Sequence, residues 1–280
     1  MIKSFAKINL SLRVLKKMKS GLHDIESNIT LVKLHDKISV NKTTSSRDKI
    51  IFRGKFKKFI KKNDNSIKST LEILRNLKIT NNYFKIVVDK NIPVFAGLGG
   101  GTSNSAFLFK HFFKKKVSKK IMNIFIKKIG TDFKLFFKNQ CFQKNLNNIV
   151  SYKERYQFYM LLIYPRIKCS TKYVYSKIKK TNFSRNTRNI RYENIKLKNK
   201  FIEFLKKDTN DLQYVAQKKF PKIKHLLSYI SQLKGCVFSR MTGSGSVCYG
   251  VFNQKKLASL ALVRAKRKYP KFWCVISKTI

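Results

Sequence analysis

With 280 residues, 43% hydrophobic and 13% aromatic, the chain can build a sizeable core and two domains, which excludes a disordered polymer. Its longest apolar run, at about residues 158–164, is far short of a membrane span, and no signal-peptide apolar region opens it, so a cytoplasmic protein without a membrane partner is expected. The formal charge of +50 runs through the whole chain with no basic tail and no aromatic nucleic-acid motif; it reads as drift toward Lys, Asn and Ile codons, with a field that still attracts anionic substrates such as nucleotides.

Residues 1–15 alternate at Ile8, Leu10, Leu12 and Val14 and predict a strand. Lys7 and Asn9 share one face of it. Gly21-Leu22-His23-Asp24 predicts a turn, followed by a second strand at 25–34. Residues 41–62 are polar, with a short strand piece at Ile50-Ile51-Phe52. Asp64-Asn65-Ser66-Ile67 then caps a helix reaching about Leu77.

The centre of the chain is Pro93-Val94-Phe95-Ala96-Gly97-Leu98-Gly99-Gly100-Gly101-Thr102-Ser103-Asn104-Ser105. A strand at 84–89 precedes it and a helix from Ser103 to about Lys115 follows, with Thr102 or Ser103 as the expected cap. A turn needs one or two glycines, and Gly99-Gly100-Gly101 exceeds that. Glycines bring a ligand close to bare N–H groups, and a helix start adds its positive end, so this pattern points to phosphate. No Gly-Lys-Ser/Thr ends it, which excludes a Walker A loop, and the Rossmann spacing is missing too.

A further helix is predicted over 118–129. Asp132 follows in Gly130-Thr131-Asp132-Phe133, one of only 13 acidic residues and next to an apolar segment. A partly buried carboxylate there is paired, functional or a helix cap. Residues 158–164 predict a central strand of a second domain, and 177–200 a basic loop. Helical patterning covers 201–220 with a break at Asn210-Asp211, then 221–233 and 257–268. A second glycine loop, Met241-Thr242-Gly243-Ser244-Gly245-Ser246, sits inside 237–252, and 272–276 closes as a strand. The five cysteines are scattered and odd in number, which argues against a disulfide framework or a zinc site.

Ala6 to Leu10, the loop from Pro93 and the Met241–Ser246 stretch, together with Gly21-Leu22-His23, Gly130-Thr131-Asp132 and Asn210-Asp211-Leu212, resemble the GHMP small-molecule kinases in order and spacing across nearly the whole chain. The resemblance implies an α+β fold of two GHMP kinase domains, about 1–150 and 151–280, with the active site in the cleft between them. It implies ATP and Mg²⁺, and a small-molecule acceptor, a cytidine diphosphate-linked methylerythritol. Asp132 would be the catalytic carboxylate and Lys7 its partner. Asn65 and Lys90 would lie near the adenosine part of ATP, Gly97, Leu98, Gly99, Gly100, Gly101, Thr102 and Ser103 would cradle its phosphates, and Pro93 would also line the ATP site. Asn9, His23, Thr171, Tyr175, Gly243, Ser244 and Gly245 would hold the acceptor, with Tyr175 stacked on its cytosine. The metal ligands stay open, with the Thr102 or Ser103 hydroxyl the best guess. A monomer or weak homodimer is expected, with no nucleic acid.

Three departures stand out. Leu22 replaces a usual Tyr, which loses an aromatic face worth about 0.5–1.5 kcal/mol in a stack. Lys134 replaces a common Pro, and Phe95-Ala96 replaces smaller residues. None falls on Lys7, Asp132 or the glycines. Rival readings are another GHMP kinase, of the homoserine or mevalonate type, and a basic nucleic-acid-binding protein.

Overall fold

The expected strand runs unbroken only to Asn9, as β1 (Ile2–Asn9), and is buried on both faces from Ala6 on. The Leu10 N–H then donates to the Asn28 carbonyl at 2.6 Å, and the chain bends before β2 (Arg13–Lys17). One predicted strand is therefore two. The computed structural model describes residues 1–60, 65–178 and 195–280. The expected cap residue Asp64 and most of the predicted basic loop lie outside them. The described residues are a mixture of helices and strands, as an α+β chain requires.

Two compact units form. The first is residues 1–7, 34–94 and 99–138; the second is 8–33, 95–98 and 139–280. Both are discontinuous, whereas a division at about residue 150 would be contiguous. The difference comes from β3 (His23–Thr43), whose 21 residues give their first half to the second unit and their later half to the first. Ile38, fully buried, continues the apolar alternation past residue 34, where the predicted strand ends.

In the first unit, β3 pairs antiparallel with β5 (Tyr83–Asp89), Lys37 opposite Asp89 and Thr43 opposite Tyr83. β4 (Lys49–Arg53) lies parallel on the other edge of β5. Helix α1 (Ser66–Asn76) starts at Asn65, whose side chain accepts from the Lys68 N–H at 3.0 Å. It buries Ile67, Leu71 and Leu74, spaced for one helical face. Helix α2 (Gly100–Phe112) buries Ala106, Leu108 and Phe109, and α3 (Lys119–Ile129) contributes Phe125. Phe109 packs on Phe125 at 4.7 Å between ring centroids, and Phe125 stacks on Phe133 at 4.7 Å. That aromatic cluster anchors a short 3₁₀ helix, Thr131–Phe137, which carries Asp132.

In the second unit, β2 pairs with the first half of β3 on one edge. β6 (Gln140–Gln143) pairs with it on the other, extended by β7 (Ile149–Ser151). A separate antiparallel sheet contains β8 (Tyr159–Tyr164), β9 (Cys236–Met241), β10 (Cys248–Phe252) and β11 (Trp273–Lys278), in the order β11-β8-β10-β9. Among the described residues five helices accompany it: α4 (Thr171–Ser176), α5 (Lys198–Lys207), α6 (Asp211–Lys219), α7 (Pro221–Ser231) and α8 (Lys255–Lys268). The break expected at Asn210-Asp211 falls between α5 and α6, where Asn210 caps α6 by accepting from the Leu212 N–H. Arg240 is buried and donates to the carbonyls of Leu10, Leu205 and Asp208.

Candidate active site

The glycine run begins α2 rather than preceding it. Gly99, in the left-handed region at φ 67°, is the residue before the helix, and no side chain caps it. The expected cap at Thr102 or Ser103 is thus corrected: both residues are already inside the helix. The first bond of the helix runs from the Ser103 N–H to the Gly99 carbonyl at 2.8 Å. The N–H groups of Gly100, Gly101 and Thr102 lie ahead of it, at the positive end of the helix dipole. Ser103 Oγ is buried, donates to the Phe5 carbonyl at 2.6 Å and meets Ser4 Oγ at 2.7 Å. The Ser103 hydroxyl therefore serves β1, and the Thr102 hydroxyl is the more accessible oxygen at this helix start.

The four glycines differ in what they are needed for. A Cβ on Gly97 (φ +78°) would lie 2.1 Å from the Thr242 carbonyl oxygen. One on Gly99 would meet the Phe136 ring at 2.9 Å, and one on Gly100 the Ile92 side chain at 3.0 Å. A Cβ on Gly101 would meet only Ser66 Oγ, at an ordinary 3.7 Å. Only Gly101 of the four is exposed, so it alone keeps its space open toward solvent.

Lys7 and Asp132 come together in the first unit, Nζ to Oδ2 at 3.3 Å. The Lys7 side chain is only 6% exposed and that of Asp132 35%. Gly130 precedes the 3₁₀ helix and Asp132 lies in its first turn, so Asp132 is not the cap. The buried Phe133 beside it holds the backbone while the carboxylate stays accessible. Lys110 on α2 ties down the far end of the same segment. It donates to the Phe136 carbonyl at 2.5 Å and lies 4.6 and 4.8 Å from the Phe107 and Phe137 ring centroids. Burial pushes its ammonium down to about 8. Nothing in the sequence singles Lys110 out.

The remaining residues expected around ATP lie in varied surroundings. Asn65 is the cap of α1, while Pro93 and Leu98 are buried. Lys90 is 2% exposed and ion-paired with the buried Asp36.

The second unit gathers most of the residues expected for the acceptor. The His23 and Tyr175 rings lie 5.1 Å apart, tilted by 33°. Thr171 Oγ1 and Ser244 Oγ share a hydrogen bond of 2.9 Å. Asn9 is buried. Its amide donates to Ser27 Oγ at 2.8 Å, and its backbone N–H donates to Thr242 Oγ1 at 3.0 Å. Gly243 lies close by: a Cβ there would be 3.4 Å from Asn9 Oδ1. Asn210 fixes this loop by donating to the Met241 and Gly243 carbonyls at 2.7 and 2.8 Å. That gives the Asn210-Asp211 motif a physical role that spacing does not reveal. Gly245, at φ +90°, sits over the Met241 sulfur.

Burial, and then the charge of Lys17, hold the His23 imidazole below its ordinary value of 6.5. Its folded value is the lower one, so its contribution to stability is complete above pH 6.5 and is lost as pH falls through the folded value. An NMR titration should therefore place the His23 midpoint below that of an unfolded peptide. A raised midpoint would show that a carboxylate, not burial, governs this ring.

Comparisons with known proteins follow the same lines. The family described as GHMP kinases C terminal matches residues 192–271. The chain is 41% identical over 290 residues to a 4-diphosphocytidyl-2-C-methyl-D-erythritol kinase of Pelagibacter ubique (strain HTCC1062), covering 100% of this chain and 98% of that protein. It is 30% identical over 284 residues to the enzyme of the same name from Caldanaerobacter subterraneus subsp. tengcongensis, covering 100% and 96%. Among solved structures it is similar to a 4-(cytidine 5'-diphospho)-2C-methyl-D-erythritol kinase, with a TM-score of 0.74, 20% identity and 98% of each chain covered. A homoserine kinase from Cytophaga hutchinsonii gives 0.70 at 13% identity, covering 100% of this chain and 94% of that one. These two structures establish the fold, that of the GHMP kinases.

Proposed function

Since the chain belongs to the 4-diphosphocytidyl-2-C-methyl-D-erythritol kinase family, we propose that it transfers the γ-phosphoryl group of ATP to the 2-hydroxyl of 4-diphosphocytidyl-2-C-methyl-D-erythritol. This is a step in the non-mevalonate route to isoprenoid precursors. The observation that carries the chemistry is the Lys7–Asp132 pair at 3.3 Å, in the same unit as the open start of α2.

Phosphoryl transfer passes through a loose transition state, so positioning and charge neutralisation do most of the work. Asp132 orients the acceptor hydroxyl and takes its proton. Lys7 fixes the carboxylate and adds positive charge where the transferring group becomes anionic. The N–H groups of Gly100, Gly101 and Thr102 bind phosphate oxygens. Among the described residues no group of three His, Cys, Asp or Glu could hold a metal. The Thr102 hydroxyl would be the protein donor to an Mg²⁺, which would supply charge neutralisation when bound.

On the acceptor side, a neutral His23 offers one donor and one acceptor to the cytosine edge, and Tyr175 offers a ring face. Tyr175→Ala should weaken acceptor binding by about 1–3 kcal/mol, the range for base–aromatic stacking. ATP affinity should hardly move. Steady-state kinetics with each substrate varied reads this directly, and an unchanged KM for the cytidyl substrate would make Tyr175 a packing residue.

We place the enzyme in the cytoplasm, as a monomer or weak homodimer acting on a small molecule. No helix among the described residues is long and apolar enough to cross a membrane. The deciding experiment is ADP release over a panel of alcohols. Release with the cytidyl substrate, and not with homoserine or mevalonate, is expected. Release only with one of the latter would overturn the assignment. A salt-dependent mobility shift with RNA or DNA would favour the nucleic-acid reading that the charge of +50 raises.

A further inference from the structure

We propose that Lys90 is a positioning residue for the ATP phosphates, acting through Asp36 and Asn104 on the start of α2, and not a contact to the adenosine. The proposal rests on the ATP-dependent reading above and names how its phosphate site is held.

Lys90 is 2% exposed and Asp36 fully buried. The Lys90 ammonium donates to Asp36 Oδ2. Asp36 Oδ1 accepts the Asn91 and Ile92 N–H groups at 2.7 and 2.9 Å. One carboxylate thus fixes the backbone that leads into Pro93. The Asn104 amide completes the network. With its nitrogen facing the surrounding oxygens, its two N–H groups are shared among Asp36 Oδ2 at 2.9 Å, Ser4 Oγ at 2.8 Å and the Gly100 carbonyl at 3.1 Å. Its oxygen then accepts from Lys90 Nζ at 3.2 Å. Gly100 is the first residue of α2, and a Cβ there would stand 3.3 Å from Lys90 Nζ.

The network therefore sits directly behind the Gly100, Gly101 and Thr102 N–H groups at the start of α2. Burial pushes the Lys90 ammonium down, while the charge and hydrogen bond of Asp36 oppose that shift. A buried ion pair of this kind adds little net stability. Its multiple hydrogen bonds, however, allow only one geometry, and that geometry sets where Gly100 lies. A buried cation already committed to Asp36 and Asn104 is also badly placed to reach a nucleoside.

The test compares ADP and adenosine by calorimetric titration of the full chain. Lys90→Met/Asp36→Asn removes both charges together, so no lone charge is buried, and it keeps an acceptor for the Asn91 and Ile92 N–H groups. We expect the Kd for ADP to rise about ten-fold or more while that for adenosine stays within about two-fold, because only the phosphate contacts are misaligned. Equal losses for both ligands would mean that Lys90 touches the nucleoside and would overturn the proposal. Unchanged ADP affinity in a folded variant would overturn it too. If the double variant does not fold, Asn104→Ala decides the question, since it leaves the Lys90–Asp36 ion pair in place and removes the amide that joins it to Gly100. A selective loss for ADP supports the proposal; an unchanged or equal loss refutes it. The parent's own ADP titration separates this from the wider reading: a parent that does not bind ADP fails as a kinase and takes the proposal with it.

Discussion

Asp132→Asn is expected to lower kcat by about 10²–10⁴-fold, the usual weight of a positioned acid or base, with the fold intact. The variant keeps the size of the side chain but cannot take the hydroxyl proton. Stability should change little, because the carboxylate is 35% exposed and sits in the first turn of its 3₁₀ helix rather than at the cap. Lys7→Met should also lower kcat, by removing positive charge near the transferring group. The two losses should not add, because the pair acts as one unit across a 3.3 Å contact. Turnover and thermal midpoint measured on the two single variants and the double variant settle the matter. A helix-capping role predicts the reverse pattern, with about 0.5–2 kcal/mol of lost stability and normal turnover. A destabilised but fully active Asp132→Asn would move the catalytic role elsewhere.

Gly97→Ala should be the most damaging single methyl group in the glycine loop. The residue is in the left-handed region, and its new Cβ would stand 2.1 Å from a backbone oxygen of Thr242. Strain and overpacking together should cost about 2–4 kcal/mol. The displaced loop should bind ATP poorly as well. Gly101→Ala is the matched control, since its Cβ meets nothing closer than 3.7 Å. It should fold normally, and any loss of ATP affinity then reports on the ligand rather than the protein. A normal thermal midpoint for Gly97→Ala would mean that the loop and Thr242 do not pack as described. An unchanged ATP affinity for Gly101→Val would remove the phosphate from this helix start. Gly100→Val is the poorer probe, because its side chain would run into Ile92 rather than into the ligand space.

The glycine-rich turn between β5 and α2 could be read from the sequence because its signal is local: glycines between a strand and a helix, all within one short stretch. The exact start of the helix could not. Thr and Ser usually cap, but here the left-handed Gly99 does so, and Ser103 is drawn inward by Phe5 and Ser4. Asp132 stood out because carboxylates are scarce in this chain, and Lys7 joined it through family resemblance alone. Asp36 stayed invisible. It lies in a strand whose neighbours suggest an ordinary polar edge, and its partner Lys90 is 54 positions away. Lys110 was hidden among dozens of other lysines, and only the rings around it set it apart. Only the first half of the long β3 is legible in the sequence, because His35, Asp36, Lys37 and Ser39 dilute the alternation that Ile38 and Val40 continue.

Arg240 has a consequence for how this chain can change over generations. Most of its 63 basic positions can exchange Arg for Lys at little cost, since a solvated charge is all they provide. At Arg240 a flat guanidinium serves three carbonyls from two segments, Leu10 in one and Leu205 and Asp208 at the end of α5 in the other. A compact ammonium on a flexible stem cannot span that fork. In a chain so rich in lysine, this is a position that lysine cannot fill.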